Sequence, residues 1–182
     1  MDFKDLVLHR ESTRKYNAEK PVEPEKIEQI MEACRMAPSA CNSQPWKIIV
    51  ADDKATSEAL ASATYGPLLR FNRFASQAPV VAAIVAEKPN WLSKVGGNVK
   101  DKDFYLMDIG IVAEHFCLQA ADLGLGTCMI GWFDEARVKE ILHVPPKKRV
   151  LLLITLGYPA KENNRKKIRK SPEAMWCRNR YK

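Results

Sequence analysis

The stretch DLGLGTCMIGWFD, residues 122–134, decides the fold class. Its glycines at 124, 126 and 131 invite comparison with the dinucleotide fingerprint, in which a glycine-rich turn follows a strand and opens a helix. Here the order is inverted. Phe104 to Leu123 carries a long helical pattern that Gly124 ends. GTCMIGWF (126–133) follows as a short apolar strand. The glycines lead from a helix into a strand, so a nicotinamide nucleotide is not held in the Rossmann manner. Leu106, Ile109, Gly110, Ala113, Phe116, Cys117, Ala120 and Ala121 cover more than one face of the preceding helix. Such a helix is expected in a core or against a second subunit.

Working outward, three more strands and several helices can be placed. Asp2 is a cap for a short helix through Arg10. Pro24 sits near the first position of the next helix. There Ile27, Ile30, Met31 and Cys34 share one face, and Pro38 ends the run. WKIIVA (46–51) reads as a buried strand, and Asp52 and Asp53 offer caps for a helix reaching Ala63. Residues 65–78 are irregular to helical. PVVAAIVAE (79–87) is a second strand, rich in β-branched residues. Residues 88–102, polar with two glycines, form a loop long enough to be a lid. Asp134 caps EARVKEILHV, and RVLLLITLGYP (149–159) is the last strand. No βαβ rhythm repeats. The order predicts an α+β fold, one domain over residues 1–182, with helices around a central sheet.

Composition narrows the function. The chain has 182 residues, 46% apolar and 28% charged, which is a globular balance. Residues 161–182 hold nine Lys or Arg against two Glu, which accounts for the whole net charge of +7. That segment is a solvated tail, an anion site or a nucleic-acid contact. Five cysteines, with no CxxC pair, fit a reduced protein. Zinc spacing is missing among the cysteines and His9, His115 and His143. Neither a signal peptide nor a membrane span is legible, and a cytoplasmic protein is expected.

No nucleophile–base pair stands out. Asp108 and Glu114 lie on the apolar helix, where acids cap or pair. HRESTRKY (9–16) is more informative. In an extended segment Arg10, Ser12 and Arg14 point to one side. Two guanidinium groups and a hydroxyl suit a phosphate, although a solvated turn would read the same way. Charged hydrogen bonds contribute about 1.5–3 kcal/mol each, and micromolar affinity needs about 8 kcal/mol. A phosphate ligand must therefore bury a flat or apolar part as well. PSACNSQPW (38–46), between helix and strand, combines small residues with hydrogen-bonding groups.

Together these stretches resemble the flavin-dependent nitroreductase family. The pieces that carry the resemblance are RESTRKY (10–16), APSACNSQPW (37–46), DLGLGTCMIGWFD (122–134), LGYP (156–159) and KIRKSPE (167–173). The resemblance implies a mostly antiparallel sheet of four or five strands surrounded by helices, and an intertwined homodimer with two FMN sites at the subunit interface. Arg10, Ser12 and Arg14 match positions that hold the phosphate and ribityl chain, and Lys167 and Arg169 match a basic pair that closes on the phosphate. Pro38, Ser39, Ala40 and Asn42 match a loop that reaches the flavin from the partner. Met129, Ile130 and Gly131 match the strand end along the isoalloxazine. Arg70, Asn72 and Arg73 lie near the region where relatives contact the pyrimidine edge, without a fixed register.

The implied activity is ping-pong. NADH or NADPH gives hydride to flavin N5, and a nitroaromatic, quinone or similar small-molecule acceptor is then reduced. Trp91 and Trp132 are expected to line the acceptor site, while Trp46, Cys41 and Cys128 are expected to serve packing or space-filling. Two alternatives stay open: a related flavoenzyme with a dedicated substrate, such as dehalogenation or flavin fragmentation, and a flavin-binding protein without turnover. Nucleic-acid binding is not expected, because no basic surface with interleaved aromatic residues is legible.

Overall fold

Trp46–Ala51 (β1), Val80–Ala86 (β2), Gly126–Ile130 (β3) and Arg149–Gly157 (β4) form one sheet in the order β1-β2-β4-β3. Every neighbouring pair is antiparallel, and a bulge at Ile84/Val85 interrupts the β2–β4 register. The computed structural model describes residues 1–66, 70–88, 102–161 and 166–181. Its helices are Phe3–His9 (α1), Pro24–Arg35 (α2), Lys54–Ser62 (α3), Phe104–Asp122 (α4), Glu135–Ile141 (α5) and Pro172–Met175 (α6), with 3-10 turns at Ala40–Asn42 and Arg73–Gln77.

The strand β2 shows why helices lie on both sides of the sheet. Its residues VVAAIVA are buried almost without a break. Val81, Ala83 and Val85 point into one core with Leu60, Phe74 and Val138. Val80, Ala82 and Ile84 point into a second core with Ile30, Val112 and Phe116. Period-two alternation sends neighbouring apolar residues to opposite faces, and each face needs its own cover. Full burial of the Val, Ile, Leu and Phe side chains contributes about 1.5–3 kcal/mol each.

Local signals set the helix boundaries. The carboxylates of Asp2, Asp53 and Asp134 accept amide hydrogens from Asp5, Thr56 and Arg137 at 2.8, 2.9 and 3.1 Å. These bonds satisfy donors that a helix start leaves unpaired. Gly124, at φ 76°, ends α4. Its N–H donates to Ala121 and that of Leu125 to Ala120, the two bonds of a Schellman cap.

One expectation needs adjustment, and the α4 expectation is met by the single chain on one side. The strand β3 stops at Ile130 rather than 133, because the next backbone groups are taken elsewhere. The Asn72 amide donates to the Trp132 carbonyl at 3.2 Å, and Asp134 N–H donates to Ala63 at 2.8 Å. Leu106 and Gly110 are exposed within the single chain, so its own core covers one broad side of α4 rather than several. Among the described residues no helix is long and apolar enough to cross a membrane. Most of the expected lid, residues 89–101 with Trp91, lies outside the described residues.

Candidate functional site

Arg10 caps the end of α1, and the chain after it runs extended beside the outer edge of β3. Ser12 forms a parallel bridge with Thr127, and Thr13 N–H donates to the Thr127 carbonyl at 2.8 Å. A glycine at 126 permits this approach, since a Cβ there would lie 2.4 Å from Thr13 Oγ1. Tyr16 anchors the far end. Its buried hydroxyl donates to the Thr13 carbonyl at 3.0 Å and lies 2.8 Å from Thr155 Oγ1. Burial, more than any neighbour, holds this phenol far above its ordinary pKa, so it stays neutral.

The anchored segment collects positive charge. Lys167 Nζ donates to the Arg10 carbonyl. Arg10 Nε lies 3.5 Å from Glu114 of α4. Partial burial, then the charges of Arg10 and Arg169, pull the Lys167 ammonium below its ordinary pKa. Arg169 is exposed and donates to the Ile168 carbonyl at 2.8 Å. Arg14 is exposed, its guanidinium carbon 6.0 Å from the centre of the Phe74 ring. A cavity of about 300 Å³ lies along the segment, lined by Arg10, Thr13, Gly126, Thr127, Tyr158 and others.

Farther along β3, Met129 is 37% exposed and Ile130 is buried. The strand pairs with β4 on one side only. Thr127 turns its carbonyl outward to residue 13. Strand alternation therefore turns the backbone of Met129 the same way. Gly131 and Trp132 are exposed just beyond.

The Pro38–Asn42 loop is held by another element. Ala40 N–H donates to Asp108 Oδ1 on α4 at 3.0 Å. Cys41, Asn42 and Gln44 have φ of 52°, 50° and 45°. Gln44 N–H donates to Ser39 Oγ at 2.8 Å, and Gln44 Nε2 donates to Asn42 Oδ1 at 3.0 Å. Pro38, Cys41 and Asn42 are exposed, and Ser39 and Ala40 are half-buried.

Two residues gain roles that sequence reading did not give them. Asp108 is the loop's anchor; a lone acid on an apolar helix was the available signal. Asn72 is buried and ties the Thr64 and Trp132 carbonyls together, while Arg70 and Arg73 are exposed. No local pattern marks Asn72, because its partners lie 8 and 60 positions away. Trp46 packs on the second core, and Cys128 is buried in the first.

The chain matches the Nitroreductase family model over residues 7–158. It is 30% identical to a NADH dehydrogenase of Thermus thermophilus, with 89% of each chain covered. It is 32% identical to a putative NADH dehydrogenase/NAD(P)H nitroreductase of Archaeoglobus fulgidus, covering 87% of this chain and 86% of that one. An FMN-dependent nitroreductase of Clostridium difficile superposes with a TM-score of 0.76 at 27% identity, covering 97% and 98% of the two chains. With the family pattern matched from the end of α1 to the exit of β4, this chain belongs to the nitroreductase family.

Proposed function

We propose that the chain is an FMN-dependent oxidoreductase that uses NAD(P)H to reduce small aromatic acceptors, nitroaromatics or quinones among them. The observation that carries the reading is the meeting of Lys167 with Arg10, 157 positions away, beside an edge strand. Cations crowded together are an unfavourable arrangement that an anion relieves. A phosphate would accept charged hydrogen bonds from Arg10, Lys167 and Arg169. Ser12 and Arg14 would extend that hold along the ribityl chain. Met129, Ile130 and Gly131 would lie along the ring system, with outward backbone groups to meet its edge. The donor set therefore fits FMN.

When bound, FMN would supply the redox chemistry between NAD(P)H and the acceptor. The chain's own share is to bind, orient and stabilise. Its cations favour negative charge near the site. Exposed Met129 and Trp132 offer apolar surface for a flat acceptor.

Helix geometry favours a homodimer. Asp108 holds the loop and Glu114 faces Arg10, six residues farther along α4. Six residues advance about 9 Å and turn about 120° away from the starting face. Loop and cations of one chain thus sit on different sides of the same helix. We assign the Pro38, Ser39, Ala40 and Asn42 loop to the flavin of the other subunit, in a cytoplasmic dimer.

Fluorescence titration with FMN tests the cation assignment. Lys167→Ala and Arg14→Ala are each expected to raise the Kd about tenfold or more, given the usual strength of charged hydrogen bonds. An unchanged Kd in both variants would remove the phosphate assignment.

A further inference from the structure

Asp108 is 3% exposed and lies among apolar neighbours on α4. Its position follows the first four residues of the helix, so it caps none of the free amides there. Its Oδ1 accepts the Ala40 N–H at 3.0 Å. Its Oδ2 is buried and, among the described residues, has no hydrogen-bond partner. A buried carboxylate with an unpaired oxygen works against folding. An apolar residue of similar size would suit the helix better. The recorded contact that distinguishes Asp108 from such a residue is the bond to Ala40.

That bond falls at the start of a demanding stretch. Cys41 and Asn42 follow directly, both left-handed, and Gln44 is left-handed as well. Non-glycine residues pay in conformational energy for that region and hold it only where surrounding contacts fix them. The Ser39–Gln44 and Gln44–Asn42 bonds close the loop on itself. They set its shape and leave its placement open. The Asp108 bond joins it to a nineteen-residue helix buried in the second core.

We propose that Asp108 is a positioning residue that fixes the Pro38–Asn42 loop against α4, so that the loop meets a flavin preformed rather than ordering on contact. The flavin part rests on the function proposed above; the hold on the loop does not. Pre-organisation of this kind raises affinity by removing an ordering cost from binding.

Two variants separate positioning from packing. Asp108→Leu fills the volume and removes the acceptor. Asp108→Asn keeps a carbonyl oxygen for the Ala40 amide and removes the charge. Hydrogen exchange of the peptide spanning residues 37–45 is measured in flavin-free protein, and FMN affinity is measured by fluorescence titration. Asp108→Leu is expected to speed exchange of that peptide and to raise the FMN Kd up to about tenfold, the worth of one lost hydrogen bond. Asp108→Asn is expected to stay near wild type in both. Wild-type exchange and affinity in Asp108→Leu would overturn the proposal. So would an Asp108→Asn variant that loosens the loop, since the acceptor is still present. If wild-type protein takes up no FMN, the functional reading fails, while the exchange measurement still decides what Asp108 does.

Discussion

Glycine at position 126 has a steric reason. The Arg10–Arg14 segment lies so close to β3 that a methyl group would enter the space of the Thr13 side chain, whose carbons lie 2.8 Å from the Cβ position. Both backbones are pinned by the Thr13–Thr127 hydrogen bond and by Tyr16, so neither yields easily. Gly126→Ala is expected to cost about 1–3 kcal/mol, the usual range for overpacking. It is also expected to weaken FMN binding, because the displaced segment carries Arg10, Ser12 and Arg14. Thermal unfolding with and without FMN checks both effects. A variant with wild-type Tm and affinity would mean that the close approach is unimportant. The HRESTRKY spacing suggested convergence of three side chains on one ligand. The supporting contact with Thr127 was hidden, because it joins segments more than a hundred residues apart.

Among elements, α5 and β4 are joined by one carboxylate. Glu135 accepts from Arg149 Nε and from Val150 N–H, both at 2.9 Å, and pairs with Lys139 at 3.1 Å. Burial by itself would raise its pKa, but Arg149, Lys139 and the Val150 amide together hold it down to about 2. A carboxyl depressed in the folded state adds stability above its unfolded pKa and loses it as pH falls toward the folded value. The window runs from near 4.5 down to about 2. Glu135→Gln is expected to lower Tm at neutral pH, with the gap to wild type closing as the pH falls through that window. A gap independent of pH would show that the ionised carboxylate is not the source. Elements were the most legible scale in the sequence. Caps at Asp2, Asp53 and Asp134 and the stop at Gly124 are local chemistry, and all four appear where the residues indicated. The end of β3 was misjudged because Asn72 and Ala63, both distant in sequence, compete for its backbone groups. The Asp108–Ala40 bond escaped for the same reason, spanning 68 positions.

At the scale of the whole molecule, a neutral body carries a basic segment that folds back onto it at Arg10. The single chain leaves apolar surface open: Phe3 is 71% exposed, Met107 56%, Ile168 90% and Trp176 52%. Exposed apolar residues on α1, α4 and the segment after β4 are the kind of surface that a second subunit covers. This agrees with the dimer proposed above. The central claim is that the cations beside β3 hold FMN for use by NAD(P)H. The most direct measurement is an anaerobic visible spectrum of the FMN-loaded protein before and after stoichiometric NADH or NADPH. The account predicts a yellow protein whose flavin band bleaches on adding the nucleotide and returns when a quinone or nitroaromatic is supplied. A protein that stays colourless after incubation with FMN, or whose bound flavin is left unreduced by both nucleotides, would contradict it.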